Sequence, residues 1–425
     1  MKKKGIKINE LLRQYKTPIL YSGGSIAKAF STMIVGFVLA KYISPEDLGL
    51  WASINLVLTY SVFFQGGLIN GLNIELPYAY GKEEVDKAKT MAGTAQTFTV
   101  VSSIIILFIG LGCFFYIPID DPKLKYGILS ITCVILLFYY QNYLMSTFRS
   151  KNSFLKLSVI QIVDAFVNLI SLILVIYYSF YGLLIKAVFV LAIYVTLLHF
   201  WRPIKVSLIW NKDAFLKLSK IGLPIFGLIL LDSFSSTADK LWLLNFSSLA
   251  DVGLYSFGFY ALSMFSLFSI SVAGYVYPRM TYNYGKNNDK LEIWKYVKKI
   301  TGLLIIIQVP LAIISYYLIP ILITRYFPNY VSATFTMQIL LFAGVLKGCV
   351  VGVNALWSLK SWKHMVIYQL IYSLLLFSLS YLGVQFYANK IEGVAYGILL
   401  ANGLNLISGL YITYLATNKH VPISN

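Results

Sequence analysis

Apolar residues in this chain come in a dozen long runs separated by short polar breaks, and that pattern restricts the possible folds more than any other feature. One helix of about 20 apolar residues crosses the hydrocarbon core of a bilayer. Hydropathy places such spans near 17–41, 48–78, 90–117, 126–148, 156–178, 180–201, 218–246, 252–278, 299–324, 331–357, 364–387 and 393–416. The chain therefore reads as an all-α polytopic membrane protein with about 12 transmembrane helices. Only 12% of its residues are charged, against about 25% in soluble domains. A soluble enzyme is excluded, and a separate catalytic or nucleic-acid-binding domain has nowhere to fold.

The net charge of +18 has to be sorted by position before its total means anything. Of the 35 Lys and Arg, 26 fall in one set of loops, from Lys2, Lys3, Lys4, Lys7, Arg13 and Lys16 to Lys360, Lys363 and Lys419. The alternate loops hold 6 (Lys41, Lys123, Lys125, Lys240, Arg325 and Lys390), and Lys28, Lys186 and Lys347 lie inside spans. Positive charge stays on the cytoplasmic side, so both termini are expected there. Orientation and attraction to anionic lipid headgroups account for the basic excess without nucleic acid. The opening Met1-Lys-Lys-Lys-Gly-Ile-Lys resembles a signal-peptide start, but the apolar run continues past Tyr42 with no small-residue cleavage site, so it reads as a retained first helix. Cys113, Cys133 and Cys349 are scattered through apolar runs without metal-ligand spacing, and bends are expected at Pro224 and Pro310.

The chain resembles itself at an offset of 204 residues. Asp47-Leu-Gly-Leu-Trp51 falls on Asp251-Val-Gly-Leu-Tyr255, Tyr80-Gly-Lys82 on Tyr284-Gly-Lys286, and Ile135-Leu-Leu-Phe138 on Ile339-Leu-Leu-Phe342. The polar matches carry the weight, since apolar ones are cheap in this composition. Six spans per repeat is an even number, so the halves share one orientation and are related by a pseudo-twofold axis along the membrane normal. The expected architecture is two six-helix lobes, residues 1–212 and 213–425, with the substrate path between them. That is a transporter design.

Several motifs carry a resemblance that spans nearly the whole chain: Ile43-Ser-Pro-Glu-Asp-Leu-Gly-Leu-Trp51, then Ala238-Asp-Lys-Leu-Trp242 followed by Ala250-Asp-Val-Gly-Leu-Tyr255. With the twelve spans in two lobes, they resemble the O-antigen flippase type of bacterial polysaccharide biosynthesis protein. That family lies within the multidrug/oligosaccharidyl-lipid/polysaccharide exporter superfamily. The resemblance implies transport of an undecaprenyl-pyrophosphate-linked oligosaccharide, such as a lipopolysaccharide O-antigen unit, from the cytoplasmic to the outer leaflet by alternating access. It also implies residence in the bacterial cytoplasmic (inner) membrane, contact with membrane lipids and other polysaccharide assembly proteins, and no cofactor. A coupling ion, H+ or Na+, is not readable. A multidrug or organic cation antiporter of the same superfamily stays open, because the embedded charges are of both signs. Enzyme chemistry is not expected. His199, His364 and His420 sit at span ends or in the tail, no large external loop exists, and no Walker A motif is present.

A charge near the bilayer centre costs about 2.5–3.5 kcal/mol and needs a partner or a wet cavity. Lys28 shares a helical face with Ser25, Ser31 and Thr32, and Asp232 shares one with Ser235, Ser236 and Asp239. The offset maps Lys28 onto Asp232. One reading has the two facing a central cavity, Lys28 meeting a pyrophosphate and Asp232 restraining it or carrying a proton; the other is a structural ion pair or a headgroup-facing Lys. Lys347, with Asn354 seven residues on, is a second candidate anion contact. Asp164, with Gln161, Asn168 and Ser171, forms a polar stripe suited to sugar hydroxyls or to helix packing. Lys186 is expected to snorkel to the outer surface. Glu75, near Asn70 and Asn73, aligns in the repeat with Arg279, and the pair is a candidate inner gate. Asp239-Lys240 matches an acidic-basic pair of the resembled family and is a candidate outer gate. The 33 Tyr, 28 Phe and 7 Trp divide between an interfacial belt and rings that can stack on sugars.

Overall fold

The structure is a computed structural model that describes residues 23–287 and 289–418. Lys2 to Lys16, the start of the first span, Lys419 and His420 lie outside the described residues. Those described fold almost wholly into helices: α1 (Gly23–Tyr42), α2 (Pro45–Ser61), α3 (Leu68–Gly81), α4 (Val85–Tyr116), α5 (Pro122–Ser150), α6 (Phe154–Ile170), α7 (Leu172–Phe200), α8 (Lys212–Ser236), α9 (Ala238–Phe246), α10 (Leu249–Asn287), α11 (Lys290–Tyr326), α12 (Thr334–Cys349), α13 (Ala355–Ser358), α14 (Trp362–Phe386) and α15 (Lys390–Asn418). No strand occurs among the described residues. The chain is an all-α polytopic membrane protein, with 10 described helical stretches long and apolar enough to cross a bilayer.

Local chemistry sets the helix starts. Asp121 caps α5 by accepting the Lys123 N–H at 2.9 Å, with Pro122 at the first helical position. Asp289 caps α11 through the Leu291 and Glu292 N–H groups, and Asn389 caps α15 through that of Ile391. Pro224 and Pro310 sit inside helices that run on through them. Mean hydropathy does not register where a span breaks. The second expected span divides into α2, a 3₁₀ turn at Val62–Gln65, and α3, with Gly66 at φ 53° and Gly67 at φ 73° between them. Glycine takes that left-handed conformation without a Cβ penalty. The seventh divides at Thr237 between α8 and α9, and the tenth at the 3₁₀ turn Val350–Asn354. Spans five and six meet in a hairpin inside α7 at Ser179, whose φ of 49° and ψ of −124° reverse the chain. A Cβ on Gly182 would lie 2.0 Å from the Leu174 carbonyl oxygen, so the two arms of that hairpin close backbone on backbone.

Packing divides the described chain into two compact units, one of residues 23–42 and 54–230, the other of residues 43–53 and those from 231 to 418. The first has a core of Leu72, Leu76, Ala92, Leu144, Phe148 and Leu218, all essentially inaccessible. In it, α3 lies against α8 through glycines: a Cβ on Gly71 would fall 2.0 Å from the Leu218 carbonyl oxygen, and one on Gly222 equally close to that of Gly67. The second unit contains the two copies of the repeat motif in mutual contact. A Cβ on Gly49 would lie 1.8 Å from the Leu249 carbonyl oxygen, and one on Gly253 1.8 Å from that of Pro45. Adding 204 to one contact gives the other reversed, the signature of an isologous contact across a local twofold axis. The Asp-x-Gly-Leu-aromatic motif recurs because both helices need glycine at that crossing. Outward-facing side chains such as Phe108, Ile306 and Ile407 are exposed, as a surface solvated by lipid tails requires.

Candidate functional site

The polar stripes of α1 and α6 meet along a seam. Gly24 packs on Ser158, the Ser25 hydroxyl donates to Gln161 Oε1 at 3.1 Å, and Lys28 Nζ stands 2.9 Å from Asp164 Oδ2. One turn further, Asn168 Nδ2 donates to Ser31 Oγ at 3.3 Å. The separations of 136 to 137 residues stay nearly constant along the seam, so the helices run parallel. Lys28 also lies 3.7 Å from the centroid of the Tyr194 ring. Asp164 is 6% exposed and Lys28 34%, so the pair is a largely desolvated, neutral contact. Lys186 does not snorkel: it is buried, and its ammonium donates to Asn168 Oδ1 at 2.5 Å. The hairpin at Ser179 places it opposite α6, where a partner is at hand.

A second seam, between α8, α9 and α14, repeats this register with different chemistry. Gln369 Nε2 donates to Asp232 Oδ1 at 2.9 Å across a separation of 137 residues, and Trp242 Nε1 donates to the Phe377 carbonyl oxygen across 135. Asp232 is the repeat equivalent of Lys28, and Gln369 lies one residue beyond that of Asp164. Each of Lys28 and Asp232 thus has its partner within its own unit. Asp239 is buried, 2% exposed, and accepts from the Tyr255 hydroxyl at 2.6 Å and from the Lys240 N–H at 2.8 Å. It ties the Ala-Asp-Lys-Leu-Trp segment to the aromatic residue of the repeat motif on α10. Lys240 is half-buried with its ammonium 5.3 Å from the Phe259 ring centroid. Lys347, on α12, is exposed and lies in the field of Asp232 and Asp239. α12 ends at Cys349 and the 3₁₀ turn follows, so Asn354 does not continue its helical face.

The break in the second span opens onto a cavity of about 320 Å³ within the first unit. Gln65, Asn70 and Asn73 line one wall, and Gln141, Asn142 and Arg149 line another, with Phe138 and Phe226 among the apolar contributors. On α5 the lining residues Phe138, Gln141, Asn142, Met145 and Arg149 form one helical stripe. Irregular backbone at membrane depth is tolerated where it lines such a space. Two polar atoms here have no partner, Gln65 Nε2 and Asn73 Oδ1, and an unpaired buried polar atom costs about 1–3 kcal/mol. No carboxylate lines the cavity. Glu75, the nearest acidic residue along α3, is buried and ion-paired with Lys217 of α8 at 2.5 Å. Its partner is therefore Lys217, beside the glycine contact of the two helices; the side chain of Arg279, the expected partner, lies outside the described residues.

Of these lining residues only Asn70 and Asn73 were marked by the sequence, as neighbours of Glu75. Arg149 reads there as one more loop cation, and Gln65, Gln141 and Asn142 as isolated polar residues in apolar runs. The adjacent amides Gln141 and Asn142 on the fourth span, at helical spacing from Arg149, were the available signal. The histidines make local bonds: His199 Nδ1 is 2.7 Å from the Tyr140 hydroxyl, and His364 Nδ1 the same distance from the Ser361 hydroxyl.

Solved structures with this fold are transporters. An inward-facing multidrug resistance MATE family transporter of the MOP superfamily matches with TM-score 0.69 at 13% identity, covering 93% of this chain and 94% of that one. A mutant of the Vibrio cholerae MATE transporter VcmN matches with TM-score 0.56 at 19% identity, covering 96% of each chain. A MOP superfamily transporter from Pyrococcus furiosus, described as having a binding pocket of reverse polarity, matches with TM-score 0.61 at 13% identity over 95% of each. No curated protein matches the chain in sequence. A family model described as polysaccharide biosynthesis protein matches residues 38–332. With that match over most of its length and the fold of MOP superfamily transporters around it, the chain belongs to the polysaccharide biosynthesis protein family.

Proposed function

We propose that the protein flips a polyprenyl-pyrophosphate-linked oligosaccharide across the bacterial cytoplasmic membrane, its termini and basic loops on the cytoplasmic side. The observation that carries this reading is the lining of the cavity: five amide side chains, one guanidinium and no carboxylate. Amides donate and accept at once and so match sugar hydroxyls, while a lone Arg suits phosphate. An organic cation would meet no opposing charge there. The carboxylates of Asp164 and Glu75 are ion-paired with Lys28 and Lys217, that of Asp239 is held by hydrogen bonds, and the exposed Asp232 lies outside the cavity lining, hydrogen-bonded to Gln369. Membership in the polysaccharide biosynthesis family points to the same cargo class. Alternating access then moves the headgroup through the protein while the polyprenyl tail stays in lipid.

Reconstitution in liposomes tests this. A fluorescent polyprenyl-pyrophosphate glycan, placed in one leaflet, should become accessible in the other at a rate set by the protein, and Arg149→Gln should slow it. Transport of ethidium with no movement of the glycan would establish the cation antiporter instead.

A further inference from the structure

Building on that reading, we infer that Tyr139 is a positioning residue for transport: its hydroxyl latches the chain in the bent form that opens the cavity, against a continuous helix through residues 62–67. α2 ends at Ser61, and the bend that follows holds Gly66 and Gly67 at positive φ. Tyr139, on α5, is 0% exposed, and its hydroxyl donates to the Ser61 carbonyl oxygen. The Ser61 hydroxyl in turn donates to the Leu58 carbonyl oxygen at 2.7 Å. Side chains thus take up carbonyls at the end of α2, where a helix that continued would supply N–H groups instead.

The far side of the bend is left unsatisfied. The N–H groups of Gly67, Leu68, Ile69 and Asn70 have no protein hydrogen-bond partner among the described residues, and Gly67, Leu68 and Ile69 are buried. Gly67 is the N-cap of α3 and has no side chain to cap it. Buried backbone donors are nearly always paired in native structures, and lipid supplies no substitute. A helix continued through 62–67 would offer these four donors the carbonyls of Phe63, Phe64, Gln65 and Gly66, four residues back. The bent form therefore has a competitor with better backbone pairing, and it needs a contact that holds it.

The second copy of the repeat shows that competitor. α10 runs unbroken from Leu249 to Asn287, through the stretch equivalent to the bend. At the offset of 204, Gly66 and Gly67 correspond to Ile270 and Ser271, Ser61 to Phe265, and Tyr139 to Ala343. Ala343 is buried and carries no hydroxyl; beside it, a Cβ on Gly344 would lie 2.6 Å from the Leu262 carbonyl oxygen, so α12 packs directly on the α10 backbone. The bend, its glycines and its tyrosine occur together in one copy and are absent together from the other. Val62, Gln65, Gly67, Ile69, Asn70 and Asn73 line the cavity, so straightening this stretch withdraws one of its walls.

Hydrogen exchange of the full chain in lipid nanodiscs, followed by mass spectrometry, tests the latch without any cargo. Tyr139→Phe removes only the hydroxyl. Gly66→Ala acts on the bend itself: nothing stands within 4 Å of a Cβ there, but alanine is disfavoured at a φ of 53° and favoured in a helix. Each variant should slow exchange of the amides at 67–70 several-fold, and the double variant by about tenfold or more, the weight of one net hydrogen bond on a two-state equilibrium. A merely structural role for Tyr139 predicts the opposite sign, because a loosened bend exchanges faster. Either single variant carries the test if the other fails to fold. Unchanged or faster exchange would overturn the inference. In liposomes, Tyr139→Phe should flip the glycan several-fold more slowly than the wild type, and slowed exchange with flipping at the wild-type rate would overturn the positioning role. Slowed exchange in the variants with no flipping by the wild type removes the flippase reading and keeps the latch.

Discussion

Removing both members of the Lys28–Asp164 pair should cost less than the sum of removing each alone. The contact is 2.9 Å, and Asp164 is 6% exposed, so Lys28→Met leaves a carboxylate in the protein interior without its counter-ion. Breaking a fully buried pair costs about 3–5 kcal/mol. Because Lys28 is 34% exposed, solvent screening lowers the expectation for Lys28→Met to about 2–3 kcal/mol. Asp164→Asn should cost less, about 1–2 kcal/mol, since the ammonium keeps its place beside the Tyr194 ring and its access to solvent. In the double variant neither charge remains to be desolvated, and the cost should fall below the sum of the singles by roughly 1–2 kcal/mol. At about 2.1 cal/mol/K per residue, the unfolding entropy of a chain this long converts 2.5 kcal/mol to a shift of roughly 3 °C. Thermal unfolding of the purified protein in detergent, followed by tryptophan fluorescence, resolves such shifts for the two singles and the double. Additive shifts would refute the coupling and with it the description of the seam. The charge-reversed double, Lys28→Asp with Asp164→Lys, should recover part of the loss that either reversal causes alone.

Other perturbations probe separate features. Gly49→Ala and Gly253→Ala each place a methyl 1.8 Å from a carbonyl oxygen of the facing helix, so each should lower stability by at least about 2 kcal/mol; the isologous contact requires similar losses, and a harmless substitution at either position would contradict it. At the hairpin, Ser179→Ala and Ser179→Gly both lose the hydroxyl's bond to the Tyr42 carbonyl oxygen, but only glycine relieves the positive φ, so the glycine variant should unfold at the higher temperature by about 1–2 kcal/mol in stability. Asp232→Asn should be better tolerated in thermal unfolding than Lys28→Met, because Asp232 is exposed and its partner Gln369 is neutral. Lys217→Met should destabilise through the buried Glu75 carboxylate, and Glu75→Gln should recover part of that loss in the double variant; no recovery would mean the ion pair carries no energy.

Most of the fold was legible because its signal is local. Apolar run length located the spans, and the boundary between the fifth and sixth fell at the residue that turns the hairpin, Ser179. Breaks at Gly66-Gly67 and Thr237 were not visible, because a hydropathy window averages over a change of backbone direction that leaves side-chain composition unaltered. The polar faces of α1 and α6 were each legible as stripes at helical spacing. That they meet was not, because partner choice depends on helix register in three dimensions. Lys28 and Asp232 were linked through the repeat, and they do occupy equivalent places on parallel seams. Equivalence under a repeat and contact are different relations. The cavity was the least legible feature, since its residues come from three separate helices and only two of them stood out in the sequence.

The repeat separates what the fold needs from what it does not. Glycine stands at both copies of the α2–α10 crossing because backbone meets backbone there, and no side chain can be substituted for that geometry. At the seams the register persists while the chemistry changes from Lys28 with Asp164 to Asp232 with Gln369, since any satisfied polar pair can join parallel helices. The cavity residues keep neither. At the same offset Gln65 corresponds to Ser269, Asn73 to Tyr277, Gln141 to Val345, Asn142 to Leu346 and Arg149 to Val353. Ser269 is buried and accepts from Gln308 Nε2 at 2.6 Å, and Val345 and Val353 belong to the packed interior. The second copy thus builds the same helices with apolar or internally bonded groups at four of these five places, Tyr277 being exposed. Helix formation and packing do not call for the amides and the guanidinium of the first copy, two of which leave polar atoms unpaired. The transport reading proposed above assigns them to a polar ligand that pairs those atoms when it binds.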